Sequence, residues 1–203
     1  MPIRKGEAWG APGVLPPDGV VVASDAEARA VVTEARRAGE APPVLGLLGG
    51  DLCRTLGGLG DRNRLHSDLA MTFACDLGAV LADGRLHWFV AHLVARRQWW
   101  RGRAFVAMNA AWLGAWNAGP KAHPGDGLLD TYDARVPAGQ RPGMRRRLPL
   151  GAHLPHPAVR ERRTAAIQVD LERSLPVHLD GERVTEARSL SIRVEPDALT
   201  VVV

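Results

Sequence analysis

The chain has 203 residues, 46% of them hydrophobic and 24% charged, and a formal net charge of +4. That balance excludes a disordered or fibrous chain, and no apolar run approaches the ~20 residues of a membrane-spanning helix. Lysine occurs only at positions 5 and 121, so the basic character comes from arginine and permits an anionic partner without choosing one. Residues 1–18 are rich in proline and glycine and read as a loose arm, not a signal peptide. Gly19–Ala23 is a short apolar strand. Ser24 offers an N-cap to a helix over Asp25–Ala38, which Gly39 closes. Val44–Leu48 is a second buried strand, so this stretch is one strand–helix–strand crossover. Gly49-Gly50 turns directly into a short helix over Asp51–Leu56, a geometry that presents amides to an anion.

From Leu69 the texture becomes β-rich. Leu69–Leu81 and Arg85–Ala95 read as strands around the turn Ala82-Asp83-Gly84. Arg103–Met108, Leu128–Val136, Thr164–Leu171, Leu175–Leu179, Arg188–Val194 and Leu199–Val203 read as further strands. The fold class expected is α+β: a reduced α/β nucleotide-binding-like unit over 1–66, then a mostly antiparallel β-sandwich-like domain over 67–203. Cys53 and Cys75 make no disulfide framework, which points to a reducing cytoplasm. His87 and His92, five apart in one expected strand, face opposite sides and share no metal. Trp99-Trp100 among Arg96, Arg97, Arg101 and Arg103 suits either a membrane interface or core packing. Arg145-Arg146-Arg147 suits either lipid phosphate or a solvated turn.

Asn109–Asp130 is a Gly/Pro-punctuated stretch whose end, Gly125-Asp126-Gly127-Leu128-Leu129-Asp130, fixes an irregular backbone and offers carbonyls and a carboxylate. Several segments fall in an order that resembles the bacterial diacylglycerol kinase-like lipid kinases. These are relatives of sphingosine and ceramide kinases and, more distantly, of NAD kinases. Gly49-Gly50-Asp51-Leu52 with Arg54 and Leu56-Gly57 is similar to the family's Gly-Thr-x-Asn-Asp-Leu-Ala-Arg-x-Leu-Gly. Asp76-Leu77-Gly78, Asn109–Asp130, Gly151-x-His153 with Pro157 and Val159, and Asp180-Gly181-Glu182 follow in the family's order.

The resemblance implies ATP-dependent phosphorylation of a diacylglycerol-type lipid hydroxyl. The alternative is a catalytically inactive lipid- or partner-binding protein of the same fold. It implies Asp180 and Glu182 as catalytic carboxylates, and ATP near Asp25, Gly49, Gly50 and Asp51. It implies Mg²⁺ on Asp126 with carbonyls of His123 and Leu128. Two departures stand out. Ala23-Ser24-Asp25-Ala26-Glu27 occupies the place of the family's Gly-Gly-Asp-Gly-Thr, and Gly125 the place of an acid. A cytoplasmic protein, peripheral at the membrane or pairing with a second copy, and without nucleic acid, completes the expectation.

Overall fold

The computed structural model describes residues 9–203. Residues 1–8 of the expected arm lie outside the described residues. The rest of that arm is not loose. Ala11–Pro12 (β1) pairs with the edge of Met71–Ala82 (β4), and Leu15 is buried.

Val20–Val22 (β2), Asp25–Ala38 (α1) and Leu45–Leu47 (β3) form the crossover, with β2 and β3 parallel. Helix α1 has the expected bounds because both ends are chemically marked. Ser24 Oγ accepts from Glu27 N, and Gly39, at φ 76°, donates back to Ala35 and Arg36 carbonyls. Ala28, Val32 and Ala35 repeat at helical spacing and are buried. Burying a side chain the size of Val32 contributes about 1.5–3 kcal/mol. A short helix α2, Gly50–Thr55, follows β3.

The remaining strands are Arg85–Phe89 (β5), His92–Gln98 (β6), Arg101–Met108 (β7), Leu129–Ala134 (β8), Val159–Thr164 (β9), Ala166–Leu179 (β10) and Glu182–Val202 (β11). Among the described residues the strands form one mostly antiparallel array in the order β1-β4-β11-β10-β6-β7-β8-β9, with β5 on β4. It curls into a sandwich-like domain. One core holds Phe89, Leu93, Phe105, Leu179, Leu190 and Ile192. Strand β11 then pairs in parallel with β3 through Val201 and Val202. A second core therefore mixes Val32, Leu45 and Leu52 with Cys75, Leu77 and Val201. Both cysteines are free and buried.

Three expected features differ. Arg85–Ala95 is two strands, because the amides of Val90 and Ala91 leave the ladder for a side-chain acceptor described below. The expected strand pairs 164–171 with 175–179, and 188–194 with 199–203, fall, apart from their outermost residues, in the single long strands β10 and β11, with register shifts at Asp170/Leu175 and Glu195/Leu199. Arg145-Arg146-Arg147 is the last turn of a helix, α3, over Arg141–Arg147, followed by Leu148. No helix of the described residues is long and apolar enough to cross a membrane.

Candidate functional site

The C-terminal ends of β2 and β3 and the turns β5–β6 and β10–β11 converge on one cleft. Asp25 opens α1 but points its carboxylate at α2, accepting from Asp51 N at 2.5 Å and Leu52 N at 3.1 Å. This explains Gly50. Its φ is +96°, and a Cβ there would stand 2.4 Å from Asp25 Oδ1. Asp51 accepts Gly114 N at 2.9 Å and hydrogen-bonds His92 Nε2 at 2.9 Å. Asp180 and Gly181 both have positive φ, as a tight hairpin turn between β10 and β11 requires. The Asp180 carboxylate accepts from Val90 N at 3.0 Å, Ala91 N at 2.9 Å and His92 N at 3.1 Å. Arg29 of α1 places Nε 3.8 Å from Asp180 and pairs with Glu182 at 2.5 Å.

The cluster holds protons tightly. Burial, then the charge of Asp180, pushes Asp25 up to about 6, against the amide bonds and His92. Burial also raises Asp180, opposed by His92 and the three amides. Burial alone would lower His92, but the Asp51 hydrogen bond and the charges of Asp180, Asp51 and Asp25 carry it above its ordinary value. Burial would raise Asp51, yet the bonds from His92 and Gly114 bring it below its usual range. His92 and Asp51 thus each favour their charged form in the pair, beside two acids that retain protons more readily than free carboxyls.

Donor atoms of Asp25, Asp51 and His92 lie within 4.8 Å of one another, an oxygen–oxygen–nitrogen set that fits a divalent cation. The amides at the start of α2 are already taken by Asp25. Glu27 Oε2 likewise accepts Ala23 N at 2.7 Å, closing the start of α1. Any fit to a polyphosphate at this cleft is therefore through a bound cation rather than through bare helix amides.

The other expected site lies apart. In the loop between β7 and β8, Asp126 accepts Leu128 N at 2.9 Å and forms an ion pair with Arg163 of β9. Arg163 Nε also stands 3.8 Å from buried Asp130, whose carboxyl burial pushes up to about 6. Asp76 anchors the loop, accepting Gly127 N at 2.7 Å and donating its own N–H to Pro124 O at 2.6 Å. Trp9 packs on His123, and a Cβ at Gly125 would stand 2.5 Å from its Nε1. An acid at 125 has no room, and the carboxylate expected to hold Mg²⁺ already has a guanidinium. A cation at Asp126 would have to compete with Arg163. Chelator is expected to leave the melting temperature unchanged. Arg163→Met is expected to cost about 1–3 kcal/mol by leaving Asp126 and Asp130 without their cation; calorimetric scans with and without chelator check both.

A small apolar cavity of about 80 Å³ lies between the β6–β7 turn and α3. Trp99, Trp100, Trp116, Tyr132, Met144 and Leu148 line it. Trp116 meets Trp99 edge-on at 5.0 Å and Trp100 at 5.8 Å. Trp99, Leu113 and Trp116 also line the cleft that holds Asp25, Asp51, His92 and Asp180. The apolar cavity and the acid–histidine cleft share a wall.

Residues 80–203 match the model of the YegS C-terminal NAD kinase beta sandwich-like domain. The chain belongs to this family of diacylglycerol kinase-like lipid kinases. Its fold is similar to three solved structures from Bacillus anthracis str. Sterne, two described as a putative diacylglycerol kinase and one as a diacylglycerol kinase. The TM-scores are 0.70, 0.69 and 0.65, the identities 13%, 13% and 15%, and 91% of this chain and 77% of each of those is covered. No curated protein matches.

Of the lipid-kinase residues expected, Asp25, Gly50, Asp51 and Asp180 come together, and Gly49 is the N-cap of α2. Glu182 stands at the rim with its side chain 63% exposed. His123, Asp126 and Leu128 belong to the separate loop. His92 was missed, although it is 3% exposed and central. It and His87 lie on different strands, so their spacing carried no information about shared geometry. Arg29 and Gly114 gave no signal in the sequence.

Proposed function

We propose that the protein takes a diacylglycerol-type lipid with an acyl chain laid against the tryptophan-lined apolar wall and its free hydroxyl at the acid–histidine cleft. The activity this arrangement supports best is ATP-dependent phosphorylation of that hydroxyl. The observation that carries the reading is the wall of Trp99, Leu113 and Trp116 shared by the two spaces. The crossover β2-α1-β3 with α2 would be the reduced nucleotide-binding unit, and the domain boundary would lie near 66.

Each residue has a distinct part. Asp25, titrating at about 6, is poised near neutrality to accept the hydroxyl proton. Cationic His92, held by Asp51, offsets negative charge developing in the cleft. Asp180 lines the same cleft and fixes the β5–β6 corner that carries His92. ATP would supply the phosphoryl group, with its Mg²⁺ held through the Asp51 carboxylate.

A second reading, a lipid-binding protein without turnover, is favoured by one observation: Asp25 and Glu27 already occupy amides at the starts of α2 and α1. The deciding experiment combines titration calorimetry with ATP–Mg²⁺ and a phosphorylation assay on dioctanoylglycerol. Turnover that drops about 10²–10⁴-fold in Asp25→Asn, with lipid binding retained, supports the first reading. Lipid binding with neither ATP heat nor phosphorylated product supports the second. A protein that binds no diacylglycerol at all overturns both.

A further inference from the structure

We infer that one end of the sandwich, where β7 and β8 face the middle of β10, is a binding site for a free phosphate-type oxyanion. The inference stands apart from the lipid reading. A hollow of about 120 Å³ lies there. Arg97, Arg101, Arg103, Arg135 and Arg173 wall it, together with Glu172. It opens on the other face of the sheet from the apolar cavity. Side chains alternate along β7: Ala104 and Val106 line the apolar cavity, whereas Phe105 and Ala107 belong to the first core, and Arg103 continues their face.

Two irregularities in the sheet bring these arginines together. Where β6 meets β7, Gly102 and Arg103 stand opposite Arg97 alone. Gly102 has φ +80°, the left-handed conformation that a glycine bulge uses. Where β10 meets β11, residues 171–174 stand opposite Arg188 alone, which frees Glu172 and Arg173 from the regular ladder. The two bulges meet: Arg173 Nη2 lies 3.7 Å from the place where a Cβ on Gly102 would stand.

The charges in the hollow do not balance. Arg103 pairs with Asp133 and donates to Asp170 O, and Arg135 pairs with Glu172. Arg97, Arg101 and Arg173 are exposed and have no carboxylate partner among the described residues. Like charges held around one small hollow repel one another, and a multivalent anion turns that repulsion into attraction. A phosphate group carries about 1.5–2 negative charges near neutrality and offers its oxygens to several guanidinium groups at once. The hollow is small, and its apolar side chain, Leu175, is 4% exposed. A compact free anion such as inorganic phosphate is therefore the occupant it favours.

The test is titration calorimetry and thermal melting of the whole protein with inorganic phosphate, against sodium chloride of equal ionic strength. Phosphate is expected to bind at a single site and to raise the melting temperature above the chloride control. Arg101→Gln/Arg173→Gln is expected to bind phosphate at least about tenfold more weakly. In chloride alone this variant is expected to melt no lower than the parent, because it loses repulsion and no ion pair. Arg146→Gln/Arg147→Gln, which alters two exposed arginines of α3, is expected to bind phosphate as the parent does. An equal melting shift from chloride, unchanged affinity in the first variant, or an equal loss in both variants overturns the inference. A first variant that melts well below the parent in chloride would make its arginines structural and overturn it too. So would binding of dioctanoyl phosphatidic acid without binding of inorganic phosphate, which assigns the arginines to a lipid headgroup.

Discussion

Asp180→Ala is expected to lose about 3–5 kcal/mol of folding stability, because it removes one acceptor from three buried backbone donors. The Asp180 side chain has 0% exposure and receives the amides of Val90, Ala91 and His92. Those amides have left the strand ladder, so nothing in the backbone replaces the carboxylate. Each donor left unsatisfied costs about 1–3 kcal/mol. Relief from burying an acidic group offsets part of the sum. In a chain of this size the loss corresponds to roughly 10 °C in melting temperature. Asp180→Asn keeps a carbonyl oxygen for one or two of the amides, but its new NH₂ faces donors, so an intermediate loss is expected. Urea unfolding followed by circular dichroism gives the ordering alanine, asparagine, parent. An alanine variant within 1 kcal/mol of the parent would show that the β5–β6 corner does not depend on this carboxylate. An asparagine variant that folds well but loses all turnover, with His92 still titrating normally, would return Asp180 to the catalytic role the resemblance implied.

The elements most legible in the sequence were those whose ends are chemically marked. Ser24 and Gly39 bound α1 to the residue, and the apolar runs of β2 and β3 lie beside it. Motif order rather than composition singled out Asp25, Gly50, Asp51 and Asp180, which the fold brings to one cleft. A lone Asp-Gly is both a tight turn and, here, the carrier of a buried carboxylate. What stayed hidden is what depends on distant partners. The break at Val90–Ala91 is made by a residue 90 positions away, so Arg85–Ala95 read as one strand and His92 as an ordinary strand residue. Strand β9, Val-Arg-Glu-Arg-Arg-Thr, has almost no apolar alternation, yet Arg163 is fixed by Asp126. Helix α3 begins Arg-Pro-Gly, a sequence that reads as a turn, and only the cavity wall built by Met144 and Leu148 reveals its apolar side. The register shifts in β10 and β11 interrupted their alternation and made each read as two strands. Gly125 looked like a lost ligand; with Trp9 lying on it, the position is closed to any acid.

The pH dependence of stability follows from the same cleft. Asp25 titrates near 3.8 when exposed and at about 6 in the folded protein, so the folded state binds its proton more tightly. Its contribution is fully present below about pH 4 and is lost as the pH rises through 6, a change of about 3 kcal/mol. His92, also raised, acts in the same direction at higher pH: its contribution is present below 6.5 and fades as the pH passes its folded value. Asp51, held below its usual range by His92 and Gly114, opposes them, losing stability as the pH falls through its own folded value. The sum over the whole chain includes many exposed arginines, so the informative quantity is a difference between proteins. Asp25→Asn keeps an oxygen toward the start of α2 and cannot titrate. The stability of the parent relative to Asp25→Asn is therefore expected to fall by about 3 kcal/mol between pH 4 and pH 7. Urea midpoints of both proteins across that range measure it. A relative stability that is flat, or that rises with pH, would mean Asp25 is ionised at neutrality like an ordinary carboxylate. It would then be a fixed cap on α2 and not the proton acceptor assigned to it.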